Sequence, residues 1–294
     1  MTPMTPQNTD NLYVPHGSSA HDEFAVDISP ESAGWGFSSL QVVNAQAGER
    51  YTYSTGEREI LVLPLSGSVD VYIDDKVWPI HGRPNVFQSA TDYLYIPRET
   101  TFTIVSDNAS RIALPGARAT RDLPVRYFGI DDVRVDLRGA GDCSRQVVNY
   151  ALNNGVETSH LLCCEVLTPG GNWSSYPAHK HDEHSEHERE LEEIYYFEIA
   201  SSPEGAPGFG FHGTYGTPDR PINLCIPIRD GDVALVPHGY HGPCVAAPGY
   251  TMYYLNVMAG PSEDGQWLAP DDPDHHWIRS TWADQEVDPR LPMY

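Results

Sequence analysis

The chain is short of cations. Lys and Arg number 18 against 41 Asp and Glu in 294 residues, a formal net charge of -23. Such an excess argues against sequence-independent binding to nucleic acid or to an anionic lipid surface, since both need clustered Lys and Arg. Long apolar runs are missing too: none approaches the roughly 20 residues of a membrane span. The polar segment 1–10 has neither the basic start nor the apolar middle of a signal peptide. Cysteine is sparse, five in all, with Cys163 and Cys164 adjacent and no C-x-x-C pair. No disulfide framework is indicated, and a reducing cytoplasmic setting is expected. Long helical periodicity does not occur either. What remains is a soluble protein whose partner is a small molecule, with no nucleic acid and no membrane.

What the chain does have is a series of short apolar stretches broken by Gly, Pro, Asp and Asn from Gly36 onward, such as Phe37 to Ala45, Ile60 to Leu65 and Tyr93 to Ile96. Frequent short strands with turn signals predict an all-β sandwich or barrel. A second series starts after Arg138-Gly139-Ala140-Gly141 and ends with Tyr250 to Met258. The two series echo each other. Glu59 leads Ile60-Leu61-Val62-Leu63 much as Glu193 leads Ile194-Tyr195-Tyr196-Phe197, and Asp92 to Pro97 has the register of Asp232 to Pro237. The expected organisation is an N-terminal arm over 1–35, a first barrel over 36–138, a second over 139–260 and a wrapping tail over 261–294.

The chemistry-bearing residues gather in the second series. In His179-Lys180-His181 an extended backbone projects both imidazoles to one side and Lys180 away. Period two places Glu193, Tyr195 and Phe197 on one face of a following strand. Downstream, Gly231 to Val236 runs into a Pro/Gly turn that delivers a third imidazole, His238 or His241. Three imidazoles and a carboxylate suit Zn, Mn, Fe or a similar divalent ion, with room for substrate. The bland alternative is a solvated loop, because His184, His187 and many carboxylates lie nearby. The joint pattern favours the metal. The first series has no His between Phe37 and Ile80, and its echo of His241 falls near Thr100 or Thr101. One divalent metal per chain, Zn or Mn, is therefore expected, with Glu59 a structural or pocket carboxylate. Asp274-His275-His276 looks ligand-like, but adjacent residues on a strand face opposite ways.

With these residues in place the chain resembles the cupin superfamily, whose barrels carry G-x5-H-x-H-x3,4-E-x6-G followed by G-x5-P-x-G-x2-H. Within it, the blocks 138–149, 179–183, 191–197, 236–241 and 253–260 are similar to the bicupin family of 5-deoxy-glucuronate isomerase. The resemblance implies two tandem cupin barrels, each a double-stranded β-helix or jelly roll. Two departures matter. Glu186, not Glu193, stands at the usual spacing after His181, although only Glu193 precedes a strand; and the second motif is one residue short before His241, which still matches the family position better than His238. The ligand set implied is His179, His181, Glu193 and His241.

The activity implied is isomerisation of 5-deoxy-D-glucuronate to 5-dehydro-2-deoxy-D-gluconate in myo-inositol catabolism, a metal-assisted proton transfer between neighbouring carbons. Candidate proton carriers are Glu183, Glu192 and Tyr240. Candidate cations for the sugar-acid carboxylate are Lys180, Arg145 and Arg229. Two other classes use the same frame, a metal-dependent cupin oxygenase and a non-catalytic sugar-binding bicupin. Association into a homo-oligomer is also expected.

Overall fold

The computed structural model describes residues 11–294, so the first ten residues of the arm expected over 1–35 lie outside the described residues. The first half contains β1 (Tyr13–Val14), β2 (Phe24–Ile28), β3 (Ser38–Ala45), β4 (Arg50–Ser54), β5 (Arg58–Ile73), β6 (Lys76–Arg83), β7 (Tyr93–Ile96), β8 (Thr101–Val105), β9 (Ser110–Arg118) and β10 (Arg126–Phe128). The second contains β11 (Arg134–Arg138), β12 (Arg145–Ala151), β13 (Leu162–Thr168), β14 (Trp173–Ser174), β15 (Glu192–Ile199), β16 (Gly210–Thr217), β17 (Arg220–Ile228), β18 (Val233–Val236), β19 (Tyr240–Ala246) and β20 (Met252–Ala259).

These strands close two jelly-roll barrels. One sheet runs β10-β7-β5-β9-β3-β2, and the long β5 continues into the facing layer with β6, β8 and β4. The other barrel pairs the sheet β1-β18-β15-β20-β13-β12-β11 with the layer β14-β19-β16-β17. The inner sheets pack against each other, which explains why β20 is buried at every position. A strand covered on both faces reads as an almost continuous apolar run. On β15, Ile194 and Tyr196 join Leu40, Val42, Leu61 and Leu63 in the core between the barrels, while Tyr195 and Phe197 fill the second barrel.

Strand register aligns the two barrels residue by residue. Ile60 pairs with Ile96 and Gly116, and Glu193 pairs with Val236 and Met258. The counterpart of Glu193 is therefore Ile60, and that of Glu59 is Glu192, one residue away from the echo read on sequence. The bonding agrees. Glu59 accepts the backbone N–H groups of Ser159, His160 and Leu161, at 2.7 to 2.8 Å, where the chain enters β13 of the other barrel. Glu192 accepts those of Gly36, Phe37 and Ser38, at 2.6 to 2.9 Å, where the chain enters β3. Each barrel thus holds the other by a carboxylate on three otherwise unpaired donors.

The N-terminal segment is part of this frame. Tyr13 in β1 pairs with Ala234 of β18, just as Tyr127 in β10 pairs with Leu94 of β7. Their hydroxyls donate to Asp232 (2.8 Å) and Asp92 (2.7 Å) respectively. Residues read on composition as an arm hence complete the second barrel, while β2 of the same stretch pairs with β3 of the first. Strand β11 likewise pairs with β12 in the second barrel's sheet. The tail crosses the second barrel, where Asp272 N–H donates to Ala178 O at 2.8 Å and Met293 N–H to Gln146 Oε1 at 2.7 Å.

Candidate metal centre

Backbone pairing brings the ligand candidates together. His179 and His241 exchange backbone hydrogen bonds across an isolated bridge, and Leu191 N–H donates to His181 O at 2.8 Å just before β15 begins. The turn before His241 needs Gly239, at φ +90, and Gly242, at φ +53, is packed so tightly that a Cβ there would lie 2.1 Å from Ser175 Cβ. Side chains at those positions would push the imidazole out of place.

The donor atoms of His179, His181, Glu193 and His241 lie within 4.8 Å of one another, and all four residues are buried. Nδ1 of His181 bonds Leu191 O at 3.0 Å and Nδ1 of His241 bonds Gly239 O at 2.9 Å. Donation from Nδ1 turns each Nε2 toward the cluster, the arrangement of metal-bound imidazoles. Both reach the same oxygen: Glu193 Oε2 lies 2.9 Å from His181 Nε2 and 2.8 Å from His241 Nε2. Yet His241 Nε2 is buried without a hydrogen bond of acceptable angle. It aims at a shared point beside the oxygen. The other carboxylate oxygen, Oε1, accepts from Asn256 Nδ2 at 2.6 Å.

The electrostatics fit a divalent ion. Burial pushes Glu193 up, but the close approach of His181 and His241 outweighs it and holds the carboxyl well below its usual range, so it is ionised. Burial, with His241 and His181, pushes His179 well down, leaving a neutral ring with a free lone pair. These donors suit Zn, Mn or Fe in the divalent state.

His179 and Glu193 of the cluster line a cleft with a cavity volume of about 60 Å³. Its wall includes Ser175, Tyr195, Tyr254 and Asn256, with Trp267 edge-on to His179 at 5.5 Å between ring centres. Of the three cations expected to meet a substrate carboxylate, Arg145 lines this cleft. Lys180 does not: its Nζ donates to Asp182 and Glu188 at 2.8 Å. Arg229 is exposed at the turn before β18, where its backbone N–H donates to Asp232.

The expected proton carriers also lie elsewhere. Glu192 is spent on the backbone of Gly36 to Ser38, because the strand alternation that turns Glu193 inward turns its neighbour outward. Glu183 is exposed beside Lys180. Tyr240, next to His241 on β19, points the other way and stacks on Tyr215 at 5.6 Å. His238 is outside the cluster, as is the exposed Glu186. His276 bonds Pro273 O in a turn, not on a strand. Asn256, Ser175, Tyr254 and the tail residues Trp267 and Arg279 escaped sequence reading, since no local spacing ties them to the histidines.

The sequence profile of the KduI/IolB family matches residues 10–278. The 5-deoxy-glucuronate isomerase of Geobacillus thermodenitrificans is 38% identical over 256 residues, 86% of this chain and 90% of that protein. The enzyme of the same name from Bacillus subtilis strain 168 is 35% identical, over 81% and 86%. Among solved structures, an IolB-like protein from Salmonella typhimurium LT2 superposes with a TM-score of 0.83 at 32% identity, covering 91% of this chain and 98% of that one. Oxalate decarboxylase from Lactobacillus farciminis gives 0.60 at 10% identity over 88% of each chain, a likeness of fold alone. The architecture is that of a bicupin, and the chain belongs to the KduI/IolB family.

Proposed function

We propose that the protein is an aldose-ketose isomerase that converts 5-deoxy-D-glucuronate to 5-dehydro-2-deoxy-D-gluconate in myo-inositol catabolism. Relatives bearing that activity in their names align over more than four-fifths of the chain. The observation that carries the reading is the convergence of three imidazoles on one ionised carboxylate at the end of a cleft lined by hydroxyl groups. His179, His181, Glu193 and His241 would hold one divalent ion, Zn or Mn, which when bound supplies Lewis-acid polarisation of a carbonyl.

The chain's own residues do the rest. Asn256 Nδ2 engages Oε1 of Glu193 and keeps Oε2 turned to the imidazoles. The hydroxyls of Ser175 and Tyr254 are 3.0 Å apart in the cleft. Burial pushes the phenols of Tyr195 and Tyr254 up, so both keep their protons at neutral pH. They are donors for a substrate oxygen that gains negative charge. The Ser175–Tyr254 pair is the hydrogen-bond donor we propose for the substrate oxygen, and Arg145 is the cation we propose for the sugar-acid carboxylate.

The working units we propose follow the strand pairing: a first barrel of β2 to β10, a second of β11 to β20 closed by β1, and the tail over 261–294. Val135 and Leu137, exposed on the edge strand β11, support association into a homo-oligomer. No helix among the described residues is long and apolar enough to cross a membrane. The five cysteines are free, in keeping with the proposed cytoplasmic location.

The test is metal analysis of protein purified without chelators, followed by assay on 5-deoxy-D-glucuronate. Expected are one divalent ion per chain and a ketose product, lost on chelation and restored by Zn or Mn. Metal-loaded protein that left this sugar acid unchanged and consumed dioxygen with Fe(II) would replace the isomerase by an oxygenase.

A further inference from the structure

The cleft has a second chemical end. Arg145 is only 8% exposed, and its guanidinium donates to Cys143 O at 3.0 Å, yet among the described residues it meets no carboxylate. A buried cation without a counter-ion is costly. In a chain with 41 acidic residues this one is left unpaired while Arg83, equally buried, is paired with Glu165. Two further guanidinium groups line the same cleft, those of Arg138 and Arg279. Arg138 is only loosely engaged, 3.5 Å from Asp136. Arg279, from the tail, donates to Asp271 through both Nε and Nη2, the latter at 2.7 Å, which leaves its Nη1 for a ligand.

The indole of Trp282, also from the tail, lies 5.8 Å from the Arg145 guanidinium and 5.1 Å from that of Arg279. Cation-π attraction to one ring holds together two like charges that would otherwise repel. Burial, partly offset by Tyr254 and reinforced by Arg279 and Arg138, pushes Arg145 down to about 10, so it remains a cation at neutral pH. Three guanidinium groups thus line the same cleft as His179 and Glu193 of the imidazole-carboxylate cluster. Arg279 and Trp282 lie beyond residues 10–278, the stretch the family profile matches.

We propose that Arg145, Arg138 and Arg279 form the carboxylate-recognition end of the cleft, and that Arg279 and Trp282 make the C-terminal tail part of the substrate site. Guanidinium groups suit this task because they present paired N–H donors to both oxygens of a carboxylate. The ligand class is a sugar with an acid at the terminus remote from its carbonyl. Neutral aldoses of the same length should be discriminated against. The identity of the substrate rests on the isomerase reading, but its charge does not.

The test compares wild type, Arg145→Met and Arg279→Met, each metal-loaded. Calorimetry measures binding of D-glucuronate against D-glucose, and assays measure KM and kcat on 5-deoxy-D-glucuronate with metal content recorded. Wild type should prefer the acid. Arg145→Met should weaken D-glucuronate binding and raise KM by at least about tenfold, the loss typical of a hydrogen-bonded charge, with D-glucose binding and metal content unchanged. Arg279→Met should move both in the same direction by several-fold. If Arg145→Met does not fold, Arg279→Met decides, since Arg279 is a surface residue of the tail. Acid preference and KM unchanged in every folded variant would overturn the proposal. A wild type that does not isomerise 5-deoxy-D-glucuronate, yet binds D-glucuronate in an Arg145-dependent way, would refute the isomerase reading and leave this one standing.

Discussion

Glu192 and Glu193 are chemically alike and one bond apart, and strand alternation sends them to opposite tasks. Glu193 faces the imidazoles; Glu192 faces the neighbouring barrel. Glu193→Gln should therefore abolish tight metal binding while Glu186→Gln, on the exposed loop, leaves it intact, as a side-by-side metal titration would read. Asn256→Leu should weaken metal affinity by about 10- to 100-fold in a chelator competition, the usual loss when a ligand's orienting partner is removed. Tyr254→Phe should lower kcat by about 100-fold or more with metal content unchanged, if its hydroxyl donates in the transition state. Residues with a local signal were legible in the sequence. H-x-H on extended backbone announces His179 and His181, and the strand that follows favours Glu193 over Glu186 as the carboxylate. Local pattern could not match Glu59 to the right neighbour, because only cross-strand pairing says which acid faces inward. Asn256 and Arg279 carry no such signal, since folding alone brings them near the histidines.

The acidic insertion between His181 and β15 acts as a rim rather than as a solvated run of charge. Glu188 is buried, accepting from Lys180 Nζ and from the backbone N–H groups of Asp182 and Glu183. Asp182 Oδ2 accepts from Gly239 N–H at 2.8 Å and so ties the rim to the turn that presents His241. Burial pushes Asp182 up, but Lys180 and the Gly239 N–H outweigh it and bring its carboxyl down to about 2. A carboxyl depressed by folding stabilises the fold above its unfolded value, near 3.9. That contribution is lost as pH falls from there toward 2. In metal-free protein, where imidazole-metal bonds do not intrude, Asp182→Asn should lower stability at pH 7 and flatten the acid limb of a denaturation series below about pH 4. An acid limb identical to wild type would refute this role. The short strands were legible from their turn residues; the rim's internal pairing was not, because charge runs look the same whether solvated or folded back.

At the scale of the molecule, two barrels share one register but not one chemistry. The counterparts of Glu193 and His241 are Ile60 and Thr101, and Ser54, paired with Thr101, stands where His179 pairs with His241. One tightly bound metal per chain follows, and a measured two would contradict it. Glu59→Gln should keep that metal yet destabilise the protein by about 1–3 kcal/mol for each backbone donor left facing an amide N–H, measurable by denaturant titration. The repeat itself was legible in the sequence. The placement of β1 was not, since two residues 220 positions from their partner strand give no local sign of it. That placement sets an order of events as the chain is made. The first barrel takes its edge strand β10 from about 30 residues after β7 and can close while the rest is still being translated. The second takes β1, made before every other strand of the two barrels, against β18, among the last. So long a loop closes slowly, and the nascent β1 segment must wait, apart from its final partner, until the second barrel has emerged to receive it.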